Sequence, residues 1–385
     1  MNVIVTAMTC SVLCRKTLMN KKLTILHTEA SDGWGGQEIR IFNEMLGMMG
    51  RGHRVMLAAP RHAKIYQRSK EAGVETFDVP MGRSSFASSV LQIAWLILKE
   101  NVSIVNTHSS RDSWTGSIAG RSTCTRVVRS RHISSDLGRN MFTRFVYRNL
   151  NDAIITTGEF IKDQIVNDLG VDGAKVHPIP TGVDISRFGR ADGSTLRVEL
   201  GLSPGVPVLG IAAVMRGWKG HEFLLKAMPG VLNVFPDARL VVAGDGPGRW
   251  LVEHFMKELG IEDMVILLGH RDDVENVIAA FDVSILPSYA SEGIPQFVLQ
   301  SMASGKPVIG TTVGGIPEVV SDGVTGLLVP PKDPDAIADA AIKLLSDADM
   351  RKRMGDAGRT AVLERHTMDA MLDAVERLYD EVLAR

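Results

Sequence analysis

The chain has 385 residues, of which 45% are apolar and 23% charged, and its formal net charge is −1. That length is too great for one compact core, so two globular domains are expected. The longest apolar run of interest, Val90 to Leu98, is interrupted by Gln92 and is far short of the roughly 20 residues that span a bilayer, which excludes a transmembrane anchor there.

Residues 1–20 read as a disordered extension, because Lys21, Lys22 and the strand-like Leu23 to Leu26 follow a second methionine, Met19, as a natural chain start would. A secretory signal, the competing reading, needs a basic start before its apolar stretch, and here Arg15 and Lys16 come after it. Cys10, Cys14 and Cys124 form neither a disulfide framework nor a metal-ligand spacing, so a reducing cytoplasm is expected.

From Leu23 onward, short apolar runs alternate with helical patterns: Leu23 to His27, a helix from about Gln37, Val55 to Ala59, a helix near Ser84 to Lys99, Ile104 to Thr107, then Ile154 to Thr156 and a helix from about Glu159. This βαβ rhythm predicts a parallel sheet covered on both faces. The loop His177 to Asp184 closes a first domain over 21–185. Alternation restarts at Val208 to Ala213 and continues through Leu240 to Ala243, Val265 to Leu268, Val283 to Leu286, Pro307 to Gly310 and Gly326 to Val329, giving a second doubly wound domain over 186–365. Helical apolar spacing through Met368, Met371, Leu372, Val375 and Leu378 predicts a final helix in the segment 366–385.

Charge is unevenly spread. Up to Arg190 there are 25 Lys and Arg against 16 Asp and Glu, and beyond it 18 against 28. A basic first half suits an anionic surface or acceptor, although solvated helix faces explain the same count.

In open α/β sheets ligands sit outside the carboxyl ends of strands, where helix N-termini present free N–H groups. Three glycine-rich turns follow strands here. Gly33, Gly35 and Gly36 allow close approach to the backbone but lack the G-x-G-x-x-G spacing of a dinucleotide dehydrogenase. Arg216-Gly217-Trp218-Lys219-Gly220 sets two cations at a helix start, which suits a diphosphate. In the third, after Pro287, Glu292 can accept hydrogen bonds from sugar hydroxyls and the following turn can offer backbone donors to a phosphate, with Gln300 further down the same helix.

The segment Glu292-Gly293-Ile294-Pro295-Gln296-Phe297 to Gln300, followed by Val313-Gly314-Gly315-Ile316-Pro317-Glu318, closely resembles the signature of family 4 glycosyltransferases of the GT-B fold. The resemblance extends over most of 22–385, including Gly35 and Gly36, the linker Ile179 to Asp184, and Val242 to Pro247. It implies an α/β fold of two Rossmann-like parallel-sheet domains facing a cleft, with the C-terminal helix crossing back to the first. It also implies transfer with retention from a nucleoside-diphosphate sugar, with no cofactor and no metal. Donor would be held mainly by the second domain and acceptor by the first.

Carried over by position, Glu292 would bind donor-sugar hydroxyls, the backbone from Gly293 to Phe297 would line the sugar and phosphate site, and Arg216 and Lys219 would hold the diphosphate. Two positions depart from the family pattern. Gln300 stands where the ribose-binding acid is usual and can donate and accept hydrogen bonds but supplies no charge. Arg216 precedes Lys219 by three residues, whereas the commoner spacing of five falls on Val214, so Lys219 is the firmer assignment. For the active-site histidine the better match is His132, at a strand end after Val127 to Arg131, with His108 as its competitor. Asp333-Pro334-Asp335 imitates a metal-binding triplet but directly precedes a helix, where such acids cap free N–H groups.

The first domain decides the acceptor. Its segment Arg121, Arg126, Arg129, Arg131, Arg139, Arg144 and Arg148, interleaved with Phe142, Phe145 and Tyr147, suits an anionic lipid-linked, polysaccharide or lipopolysaccharide acceptor, and no nucleic-acid partner is expected. The stretch Phe86 to Leu98 could lie on a membrane, placing the protein at the inner face of the cytoplasmic membrane. A nucleotide-sugar epimerase or phosphorylase on the same architecture, and a non-catalytic sugar-nucleotide-binding protein, are the competing functions.

Overall fold

The computed structural model describes residues 22–385 except 133, 135, 136 and 291, so the expected extension over residues 1–20 lies outside the described residues. Two parallel sheets form. The first has seven strands in the order β3-β2-β1-β4-β5-β6-β7, with β1 at Thr24–Thr28, β2 at Arg54–Ala59, β3 at Glu75–Asp78, β4 at Ile104–Thr107, β5 at Arg126–Arg131, β6 at Ala153–Thr156 and β7 at Val176–Pro178. The second has six in the order β10-β9-β8-β11-β12-β13, comprising β8 at Val208–Ala212, β9 at Arg239–Ala243, β10 at Val265–Gly269, β11 at Val283–Leu286, β12 at Val308–Thr311 and β13 at Gly326–Val329.

Short unbroken apolar runs such as Val208 to Ile211 make these strands because both sheet faces are covered by helices, so no polar alternation is required. Strand order reverses between β1 and β4 and again between β8 and β11. Those are the switch points at whose carboxyl ends a crevice opens.

The helix Met368–Ala384 returns to the first domain. Its stripe Met371, Leu372, Val375, Leu378, Tyr379 and Val382 is buried in the same core as Ile25, Ile41 and Val128. At about 1.5–3 kcal/mol per buried large side chain, this stripe outweighs surface ion pairs such as Arg51 with Asp373, which are worth about 0–1 kcal/mol each. The Tyr379 hydroxyl reaches Asn106 on β4 at 2.9 Å and Glu44 at 3.4 Å, giving the apolar seam a polar register mark. Among the described residues, no helix is long and apolar enough to cross a membrane.

The carboxyl ends of the two sheets meet. Glu318, in the helix Ile316–Val319, accepts hydrogen bonds from the backbone N–H groups of Glu159 and Phe160, each at 2.8 Å. A second-domain carboxylate therefore caps the first-domain helix Glu159–Leu169 at the end where negative charge is favoured. Glu318→Ala is expected to speed amide hydrogen exchange at Glu159 and Phe160 while leaving β6 protected; unchanged exchange at both amides would show that the cap is not made in solution.

Candidate active site

On the second domain, the site is built around Glu292. Its Oε1 accepts from the Lys219 ammonium at 2.7 Å and from the Ser288 hydroxyl at 2.6 Å, leaving Oε2 outside both bonds. Lys219 follows β8, Ser288 follows β11, and the Glu292 turn leads into the helix Gln296–Ala303, so the cluster stands at the β8/β11 switch point. Glu292 is buried.

The two glycine blocks of the sequence signature prove to be two sides of one contact. Gly314 has φ +56°, and a Cβ there would lie 2.2 Å from the Glu292 carbonyl oxygen. A side chain at that position would push the acid out of the site.

On the first domain, three histidines line up across adjacent strands. Nδ1 of His27 on β1 lies 2.9 Å from Nε2 of His108 beyond β4, and Nδ1 of His108 lies 3.0 Å from Nε2 of His132 beyond β5. The rings stack with centroids 5.2 and 5.3 Å apart. Burial holds the imidazole of His27 down to about 3. It also lowers His108 and His132 well below the ordinary value, with the Arg40 charge acting in the same direction. His132 and His108, the two candidates for the active-site histidine, therefore stand side by side in one row.

Beside this row, the Thr28 hydroxyl and the His108 backbone N–H both donate to Asp112, at 2.8 and 2.7 Å. Glu29 accepts from the N–H groups of Ala30 and Ser31 and from Gln37. Burial, then the neighbouring carboxylates Asp112 and Glu38, push its carboxyl up to about 8.

The two halves touch at Gly293. A Cβ there would sit 2.4 Å from Thr157 Oγ1 and 2.5 Å from the His132 carbonyl oxygen, and the adjacent Ile294 N–H donates to Thr157 Oγ1 at 3.3 Å. The Gln296 amide also donates to the Gly36 carbonyl at 2.9 Å, so the first glycine turn meets the helix Gln296–Ala303.

Two families of known proteins divide the chain. The family described as "Glycosyl transferases group 1" matches residues 193–361, and "Glycosyltransferase Family 4" matches residues 34–187. The chain belongs to the family 4 glycosyltransferases. It is 34% identical over 201 residues to N-acetyl-alpha-D-glucosaminyl L-malate synthase of Bacillus anthracis, covering 52% of each chain. It is 35% identical over 195 residues to the GDP-mannose-dependent monoacylated alpha-(1-6)-phosphatidylinositol monomannoside mannosyltransferase of Corynebacterium glutamicum, covering 48% of this chain and 50% of that one. The matches thus span about half the length of these curated relatives. In fold, it resembles Anabaena Alr3699/HepE in complex with UDP-glucose, with a TM-score of 0.83 at 19% identity, covering 92% of this chain and 99% of that one.

Within this chain, the residues anticipated from sequence separate into two sets. Lys219, Glu292, Gly293, Ile294 and Gln296 gather with Gly36, His108 and His132 around the domain contact. Pro295 and Phe297 are buried beneath the turn, and Gly35 heads the helix Gly36–Gly50, where a Cβ would come 3.9 Å from Val214 across the cleft. Arg216 stands apart, exposed and stacked over Trp218 at 5.3 Å. Gln300 is partly exposed one turn along the helix Gln296–Ala303. Asp333 is a helix cap, accepting from the Ala336 N–H at 3.0 Å.

The basic segment of the first domain proves to be divided. Arg129 and Arg131 are buried, with Arg129 stacked 4.0 Å over the buried Tyr147. Arg121 and Arg126 pair with Asp152, and Arg139 pairs with Asp168 at 2.9 Å. Strand alternation places Arg129 and Arg131 under a helix, so that they do not contribute to one continuous basic surface.

Proposed function

We propose that this chain is a retaining, metal-independent glycosyltransferase that moves a sugar from a nucleoside-diphosphate sugar to a lipid-linked or cell-surface polysaccharide or lipopolysaccharide acceptor. The contact that carries this reading is Lys219 with Glu292, made at 2.7 Å beside a helix N-terminus and next to Gly293, which abuts the His132 carbonyl. In the donor complex the ammonium turns to the diphosphate, where it stabilises the negative charge that builds on the leaving group. Glu292, still held through Oε1 by Ser288, offers Oε2 to donor-sugar hydroxyls. Arg216 supplies a second cation at the rim, and Gln300 meets the ribose as a neutral partner. His132 faces the sugar from the first domain. The UDP-glucose complex of the Anabaena neighbour and the GDP-mannose dependence of the Corynebacterium relative support a donor of this class.

A lipid-linked acceptor is supported by the first-domain surface. Met141, Phe142 and Phe145 are 76%, 68% and 50% exposed on the helix Met141–Asn149, flanked by exposed Arg139, Arg144 and Arg148. On the same face of the sheet, Leu91, Trp95 and Leu98 point outward from the helix Phe86–Lys99. Apolar anchors interleaved with cations suit an anionic bilayer.

Purified protein given UDP-glucose or GDP-mannose in chelator, with a glycolipid-containing bacterial membrane extract, is expected to form a product whose anomeric configuration by NMR matches the donor. An inverted product, or transfer only with added metal, would overturn the reading. The chain is also expected to float with phosphatidylglycerol vesicles, and Phe142→Ser with Phe145→Ser to lower that partition about tenfold or more. Wild-type protein that stays behind would remove the membrane contact.

A further inference from the structure

Three stacked histidines need more than packing to explain them. His27 on β1, and His108 and His132 just beyond the ends of the adjacent strands β4 and β5, lie on the sheet face covered by the helix Gly36–Gly50, and each is buried. Their two contacts, at 2.9 and 3.0 Å, join unlike nitrogens: Nδ1 of one ring always meets Nε2 of the next. At both ends a buried ring nitrogen is left without a partner among the described residues, Nε2 of His27 and Nδ1 of His132.

Neutral imidazole carries one N–H and one lone pair. The row has no room for an added proton, because burial and the guanidinium of Arg40 both disfavour imidazolium. With all three rings neutral, two hydrogen bonds can form in only two ways. Either every Nδ1 carries hydrogen, so that His132 ends the row as a donor, or every Nε2 does, so that His132 ends it as an acceptor. Any mixture sets two lone pairs or two N–H groups face to face in a dry site, where an unmade hydrogen bond is most costly.

We propose that His27 and His108 are positioning residues of the transfer site. Through the shared row, they fix which nitrogen of His132 bears its proton, and so whether His132 donates to a sugar hydroxyl or accepts from it. This rests on the reading of His132 as the histidine that faces the donor sugar. The row makes its two ends interdependent: a hydroxyl that hydrogen-bonds at the His27 end selects the form that His132 presents at the other. His132 is placed to use that choice, since its own carbonyl lies against Gly293, next to Glu292.

The test is side-chain nitrogen NMR of the full chain labelled with 15N-histidine, together with kinetics of UDP or GDP release from UDP-glucose and GDP-mannose. In wild-type protein, His27, His108 and His132 are expected to carry hydrogen on the same kind of nitrogen, assigned by loss of each signal in single His→Phe variants. Unlike tautomers among the three, or an imidazolium in the row at pH 7, would overturn the proposal. His108→Phe keeps an aromatic ring in the stack but breaks both contacts. It is expected to change the tautomer of His132 and to lower kcat about 10- to 100-fold, as losing a partner that orients a functional histidine does, with KM within about threefold of wild type. An unchanged His132 tautomer and unchanged kcat in a folded His108→Phe variant would overturn it. His132→Ala separates the two readings: near-normal turnover there removes His132 from the site, whereas loss there with normal turnover in His108→Phe removes only the relay.

Discussion

Lys219→Ala and Glu292→Ala are each expected to lower kcat/KM for sugar transfer by about 10²–10³, the scale of losing one preorganised electrostatic contact at a centre of developing charge. The two residues form one unit, since the ammonium donates to the carboxylate oxygen that also takes the Ser288 hydroxyl. Removing either leaves the other charged group without its partner in a largely buried place. Each single change should therefore also lower the melting temperature, more for Lys219→Ala, which strands the more buried Glu292. The double variant should be scarcely worse than either single one, because groups that act together are not additive. Steady-state kinetics and calorimetry on the three variants check this. Near-wild-type rates in both single variants would remove the site from this part of the fold.

Gly293→Ala is expected to cost at least about 10²-fold in kcat, the penalty for displacing reacting groups by roughly 1 Å, while each sheet stays intact. The new Cβ would sit 2.4 Å from the Thr157 hydroxyl and 2.5 Å from the His132 carbonyl, far inside contact distance. Both obstacles belong to the other domain, so the strain is relieved by parting the domains and not by unfolding either core. Adding Thr157→Ala removes the hydroxyl and its neighbouring methyl but should restore little, because the His132 backbone carbonyl remains. Small-angle scattering should show a more open particle for Gly293→Ala with an unchanged circular dichroism spectrum. Full activity in Gly293→Ala would mean that the contact at Gly293 is not needed for transfer.

The fold was legible because its signal is periodic: apolar runs at strand length, alternating with helical spacing, need no knowledge of tertiary contacts. Lys219 and Glu292 were legible because each sits in a continuous segment that ends a strand and starts a helix. The rest of the site is dispersed. His27, Glu29 and Asp112 are single polar residues in separate segments, and nothing local marks them. They meet His108 and His132 only because β1, β4 and β5 are neighbours in the sheet although β2 and β3 intervene in the chain. For the same reason, His108 and His132 read as rivals in sequence and as partners in space. Glu318 read as part of the donor signature, and its role as a cap on a helix of the other domain depends on how the two sheets face. The arginines between 121 and 148 count as one basic segment in the sequence because composition does not register which strand positions point under a helix.

The most direct test of the central claim is calorimetric titration of the purified chain with UDP-glucose and GDP-mannose in excess chelator, in parallel with Glu292→Ala. The account predicts metal-free binding of at least one of these nucleoside-diphosphate sugars to the wild-type chain, and binding weakened about tenfold or more in the variant, as expected for loss of a charged hydrogen-bonding partner. Binding that needs added metal, or equal affinity in the two proteins, would contradict it.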